Sequence, residues 1–423
     1  MLSPGSKGWI RKYFQLIDEG IISINSVIPE GMDEKRFVHL EMSKSGLLFG
    51  YPHSRIFSNH IEDGNWTNEE NLKIVLFESL LHIFTLKNGT FDKSNFILSL
   101  SEFYKEHNAR SILNFTGIFF KDSQEESIEK VLAKRIDIKK NLENKAWINY
   151  LSNSLIYLDV VLFHNFLRSN KETINNNYQN RAVTVLQAII LAVHSDGEID
   201  KKEKMLFNVF LASANLPEDN RSTLEKAFKK NTLTINDLDV NLSGDWLFKH
   251  YILSLCALTI FADNDALDQE INYLYELCNY FEIETTDLHE NIAMIETFVL
   301  ENQGRLVFLQ DNSGYDKLYA NLSKRWVKVL GRNKDKLVQE LSQSKELLML
   351  IAKSRKEELS SEEKIKVKTQ FLDIIKSMPA LAIFMLPGGA LLLPLVLKII
   401  PDLVPSAFKE NDLEENAFKD SPE

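Results

Sequence analysis

Asn71-Leu72-Lys73-Ile74-Val75-Leu76-Phe77-Glu78-Ser79-Leu80-Leu81-His82-Ile83-Phe84 decides the fold class of this chain. Its apolar residues recur at three- and four-residue steps instead of alternating, which is the spacing of a helix face and not of a strand. The same spacing returns in Ile148, Tyr150, Leu151, Leu155, Leu158, Leu162, Phe163 and Phe166. These positions read as core stripes and predict an all-α protein of several helical bundles. Glycine (16) and proline (10) are both scarce for 423 residues, so long helices with short connections are expected in place of turn-rich β-structure.

That length is about three typical domains. The net charge of −11 disfavours nucleic acid as a partner of the whole surface, because phosphate binding needs a positive field. Cys256 and Cys278 form neither a disulfide framework nor a sulfur zinc site, and read as cytosolic thiols. Met1 to Trp9 lacks the apolar run of a secretory signal, so the bulk of the chain is expected on the cytoplasmic side. The polar stretch Asn170 to Asn180 marks a boundary. Five regions follow: an N-terminal helical domain over 1–175, an acidic helical domain over 176–300, a basic amphipathic connector over 301–376, an apolar segment over 377–408 and an acidic tail over 409–423.

From Lys324 to Lys376 fourteen Lys/Arg face eight Asp/Glu, a local net of +6 within an acidic protein. With Leu337, Leu341, Leu348, Ile351, Ile365, Phe371, Leu372 and Ile375 as the apolar face, this predicts two basic amphipathic helices broken near Ser360-Ser361, with Ser361 as cap of the second. Met378 to Leu397 then runs twenty residues without a charge, about 30 Å as a helix and enough for one membrane span. Pro387-Gly388-Gly389 and Pro394 interrupt it, so re-entrant, interfacial and protein-buried hairpins stand as alternatives to a span.

The sharpest polar cluster is His194-Ser195-Asp196-Gly197-Glu198-Ile199-Asp200-Lys201-Lys202-Glu203, and a second acidic turn follows at Asp263-Asn264-Asp265-Ala266-Leu267-Asp268, about 67 residues on. Each lies between two apolar helices, which reads as a duplicated helix–turn–helix. Carboxylates around a glycine turn offer oxygen ligands to calcium, yet Glu203 comes too early for an EF-hand loop. The alternative is a pair of acidic helix starts. Phosphate-binding, metalloprotease and serine-hydrolase motifs are absent, so no enzyme is expected. His82, His164 and His250 lie on apolar helical stretches and read as core histidines, and His194 reads as structural.

Ala192-x-x-x-Asp196-Gly197-x-Ile199-Asp200-x-x-Glu203 resembles the signature of the TerB-like (tellurite-resistance B) family of all-helical domains, whose paired acidic turns form a candidate divalent-metal site. The resemblance implies calcium or a similar cation at Asp196, Asp200, Glu203, Asp263, Asp265 and Asp268; the second turn departs, with Asn264-Asp265 in place of Asp-Gly. Pro379-Ala380-Leu381 through Pro387-Gly388-Gly389, Leu392-Leu393-Pro394 and Pro405-Ser406-Ala407-Phe408 resemble the membrane-proximal part of the Letm family (leucine-zipper, EF-hand-containing transmembrane proteins). With the opening Ser3-Pro4-Gly5-x-x-Gly8-Trp9, the chain is similar to the bacterial group called Letm-related biofilm-associated proteins.

The Letm resemblance implies a cytoplasmic-membrane location, cation exchange against protons, and a ribosome-binding domain after the membrane segment; the chain ends fifteen residues after Phe408, so most of that domain is expected to be missing. The leading expectation is a non-enzymatic, membrane-associated scaffold or sensor. Lys324, Arg325, Lys328, Arg332, Lys334 and Lys336 would meet anionic headgroups, with Pro387, Gly388, Gly389 and Pro394 shaping the apolar segment. A ribosome-binding factor, whose same six cations touch phosphates, and a cation/proton antiporter component are the alternatives. No DNA and no small-molecule substrate are expected.

Overall fold

The structure, a computed structural model, describes residues 2–62, 66–109, 123–138, 153–168, 178–197, 199, 201–239, 244–261, 268–302, 330, 333–354, 357–376, 378, 381 and 397. Among the described residues all regular structure is helical, as expected, with fifteen α-helices, two 3₁₀ turns and no strand. The first block holds α1 (Trp9–Asp18), α2 (Glu34–Ser45), α3 (Asn68–Asn88), α4 (Lys93–Ala109), α5 (Gln124–Ile136) and α6 (Tyr157–Arg168). The second holds α7 (Tyr178–Val193), α8 (Lys201–Ser213), α9 (Glu218–Lys230), α10 (Trp246–Ile260), α11 (Asp268–Phe281) and α12 (Thr285–Asn302). α13 (Lys334–Ser342), α14 (Lys345–Lys353) and α15 (Ser361–Lys376) follow.

Two helices are apolar on nearly every side and become the axes of the blocks. α3 is started by Thr67 in a reciprocal capping box with Glu70 and is buried from Leu72 to Thr85 save Lys73. It packs on α5 and α6. α10 is started by Asp245, which accepts from Phe248 N at 3.2 Å. It packs on α7, α11 and α12. α7 and α10, the helices that enter the two acidic turns, therefore lie against each other.

The opening motif turns out to be a structural clamp. Gly8 takes φ +86° ahead of α1, which has no side-chain cap of its own; the Glu129 carboxylate from α5 accepts from Gly8 N and Ile10 N, both at 2.9 Å. Lys73 Nζ donates to Pro4 O at 3.0 Å. Ser3 to Trp9 thus serve to fasten α1 on the first block.

Buried and half-buried polar contacts join the two blocks across the polar stretch 170–180. Asp245 accepts from Asn165 of α6 at 2.5 Å and from Arg181 of α7 at 2.8 Å. Ser154 N donates to Ser213 Oγ and Tyr251 OH donates to Ser154 O, each at 3.0 Å.

The basic region differs from the expected pair of helices. It forms three, because the chain also breaks at Gln343-Ser344. That break lets Leu337 and Leu341 from α13, together with Leu347, Leu348 and Ile351 from α14, bury toward Val367, Phe371 and Ile375 of α15. Ser360, not Ser361, caps α15: its Oγ accepts from Glu363 N at 3.2 Å and Glu363 reaches back to Ser360 N at 2.9 Å. Among the described residues no helix is long and apolar enough to cross a membrane. Pro387, Gly388, Gly389, Pro394 and most of the apolar segment lie outside the described residues; within it, Met378 and Leu381 are buried.

Candidate functional site

α2 begins at Asp33, whose side chain accepts from Lys35 N and Arg36 N. It ends at Gly46, whose φ of +79° and approach to Tyr51 O exclude a side chain, since an added Cβ would lie 1.9 Å from that oxygen. Between those stops, Glu34 and Arg36 in the first turn of α2 face two different helices. Glu34 takes an ion pair from Arg168 and a hydrogen bond from His164 Nε2 at 3.2 Å, both on α6. The His164 hydrogen bond and the Arg168 charge outweigh burial and hold the Glu34 carboxyl below its ordinary range. Arg36 pairs with Glu290 on α12.

His39, one turn further, enters the seam between blocks. Its ring lies 6.1 Å from Tyr157 of α6, 5.9 Å from Trp246 and 6.0 Å from His250, both of α10. It is 5 % exposed, and its nitrogens have only long contacts, 3.5 Å to Tyr157 OH and 3.4 Å to Ser254 Oγ. Burial, reinforced by His250, pushes its pKa well below the ordinary histidine value. His250 stacks on Trp246 at 3.6 Å. Its Nδ1 lies 2.9 Å from Trp246 O and its Nε2 3.1 Å from Asp287 Oδ2 in the first turn of α12. Burial alone would raise the Asp287 carboxyl; the hydrogen bond from His250 and the charges of His250 and Arg36 bring it below its ordinary value. Arg36, His39, Trp246, His250, Asp287 and Glu290 line a cavity of about 30 Å³, room for a water or two.

The other buried polar groups are fastenings. Glu78 accepts from Tyr13 OH at 2.9 Å and from Ile56 N and Phe57 N at 2.7 and 2.9 Å. Arg135 and Asp159, both fully buried, pair through contacts of 2.5–3.1 Å, and Tyr104 OH donates to Asp159 at 3.1 Å. Burial raises both cysteine thiols, Cys278 to about 12. His194 donates from Nε2 to Phe228 O at 2.7 Å, a structural role.

Of the candidate cation ligands, Asp200, Asp263 and Asp265 lie outside the described residues. Asp196 is half-buried beside Gly197 (φ +88°), Glu203 is buried on α8 and Asp268 is exposed at the start of α11. Among the described residues no three His, Cys, Asp or Glu side chains gather as a metal-holding group. Of the six candidate contact cations, Lys324, Arg325, Lys328 and Arg332 lie outside the described residues; Lys334 and Lys336 open α13, with Lys336 exposed.

The histidine cleft was not legible from the chain. His250 sits in a fifteen-residue apolar helix, Asp287 is 37 positions away and His39 is 211 away, and no local spacing links them.

These features define an all-helical protein whose two blocks meet at a charged cleft. Residues 359–422 match the family model described as LETM1-like, RBD, which makes this part of the chain Letm-like. The match runs over α15, the apolar segment and the tail instead of starting beyond them. Comparison with curated proteins and with solved structures finds no similar chain.

Proposed function

We propose that this protein is a non-enzymatic scaffold or sensor of Letm type, held at the cytoplasmic membrane by its C-terminal part with the helical blocks on the cytoplasmic side. The match over 359–422 carries this reading. The surface of α13–α15 supports it: Met349 and Ile365 are 62 % and 63 % exposed, with exposed Lys336, Lys345, Lys366 and Lys368 on the same three helices. Apolar side chains amid lysines suit an anionic lipid interface, where each cation contributes about 1 kcal/mol near the surface.

Membrane fractionation of the full chain tests the reading. Retention through high salt and alkaline carbonate is expected; recovery in the soluble fraction before any wash would sink it. Glutamate at both Met349 and Ile365 is expected to weaken binding to phosphatidylserine vesicles at least tenfold.

The description of the matching model favours a second reading, ribosome contact through the same region. Salt-sensitive co-sedimentation with ribosomes, lost on charge reversal of Lys324, Arg325, Lys328, Arg332, Lys334 and Lys336, would replace the first reading. A divalent-cation response, and with it the TerB-like and surface-attachment resemblance, rests on the residue pattern alone. Calorimetry with no heat and no change in melting temperature at millimolar calcium would retire it.

A further inference from the structure

We infer that the cleft between α2, α10 and α12 is an acid-operated latch: adding a proton to His39 puts an unmatched charge into the seam and releases α2 from α10 and α12. The inference rests on how the charges around the cleft are already paired, and it does not depend on what the C-terminal segment docks to.

Four ionisable groups surround the cavity, and geometry pairs them two by two. Arg36, from His39's own helix, pairs with Glu290 of α12. His250 of α10 meets Asp287 of α12. Both ring nitrogens of His250 face oxygens that only accept, Trp246 O and Asp287 Oδ2. From α6 His39 meets Tyr157, and from α10 it meets Trp246, His250 and Ser254. Among the described residues no carboxylate hydrogen-bonds to it. The Ser254 hydroxyl proton is already directed at His250 O and Asn291 Oδ1, each at 2.8 Å, so Ser254 can only accept from His39. A neutral His39 fits this surround, donating toward Ser254 and accepting from Tyr157. A charged one puts a cationic ring without a carboxylate partner 6.0 Å from the His250 ring, beside a cavity with room for a water or two.

Opening α2 gives His39 water and an ordinary pKa. A group held neutral when closed and titrating near 6.5 when open raises the open population about tenfold between pH 7.5 and 5.5. The other face of α2 carries a second buried histidine, His82 of α3, 5.5 Å from Phe37. It must be separated experimentally.

Hydrogen exchange of the full-length protein at the two pH values, corrected for intrinsic rates, reads the latch. Peptides covering 34–45 and the first turns of α10 and α12 are expected to lose about tenfold protection at pH 5.5, while α3 stays more protected than they are at both values. His39→Gln, neutral at both values, is expected to abolish that loss. His250→Gln, which removes the neighbouring imidazole, is expected to reduce it, and His82→Gln to leave it in place. If His39→Gln does not fold, shown by unprotected α3 at pH 7.5, the His250→Gln result decides. Unchanged protection of α2 in the wild type overturns the latch. So does a full acid response in His39→Gln or His250→Gln, or its disappearance in His82→Gln.

Discussion

Arg135 and Asp159 show how much a single residue can carry in this core. Both are at most 1 % exposed, and the guanidinium also lies 4.6 Å over the Tyr178 ring. Removing one partner leaves the other charge buried and alone. Asp159→Asn is expected to cost about 3–5 kcal/mol in urea denaturation, whereas a paired apolar replacement of both residues is expected to recover most of it. His82 sets a pH signature at the same scale. Burial lowers its pKa to about 4 against an ordinary 6.5, with the Glu34 charge opposing. Because the folded value is the lower one, the unfolded chain takes up the proton first. Stability is full above pH 6.5 and falls toward pH 4 by about 3 kcal/mol from this group. Glu34 and Asp287, whose folded values are depressed, lose their contribution only as pH falls into the carboxylate range, below about pH 5. The window from 6.5 to 5 therefore separates the histidines from these two carboxylates. In His82→Gln the slope of stability with pH should flatten by roughly 1.4 kcal/mol per unit there.

At the scale of an element, helix ends were legible where the capping chemistry is local. Ser360 with Glu363 is a short-range signal, placed one residue late only because two serines stand side by side; Thr67 with Glu70 carries the same local signal and was not singled out in the sequence. α1 could not be read this way, since its cap comes from Glu129, 119 residues beyond Ile10. Glu129→Ala should leave two backbone donors without a partner and cost about 2–4 kcal/mol, measured by thermal melting. Glycine at a helix end has the same dual character. Gly89, at φ +74° with open space around it, should tolerate alanine at about 1–2 kcal/mol. Gly46 has a similar φ but meets the Tyr51 carbonyl, so Gly46→Ala should cost more than about 3 kcal/mol as overpacking adds to the left-handed strain.

Across the whole molecule, the polar stretch 170–180 marks a change in composition, while Asp245, Ser154 and Tyr251 tie the flanking blocks with buried and half-buried hydrogen bonds. Scanning calorimetry is accordingly expected to show α1 to α12 melting in one transition. Asp245→Ala, which removes a helix cap and the partner of buried Arg181, should lower that transition and not split it. Two resolved transitions within residues 9–302 would show instead that the blocks are energetically independent.

Periodicity, scarce glycine and proline, and charge distribution determined the all-helical class, the burial of α3 and α10, the basic character of 324–376 and the Letm resemblance of the C-terminal part. All of these are properties of neighbours in sequence, because a helix presents residues three and four apart on one face and caps itself within a turn. Only the tertiary structure decided the third helix in the basic region, the Glu129 clamp and the cleft in which His39, His250 and Asp287 meet. Those depend on which helix faces which, and that choice is made by side chains from some twenty to more than two hundred residues apart finding complementary shape and charge.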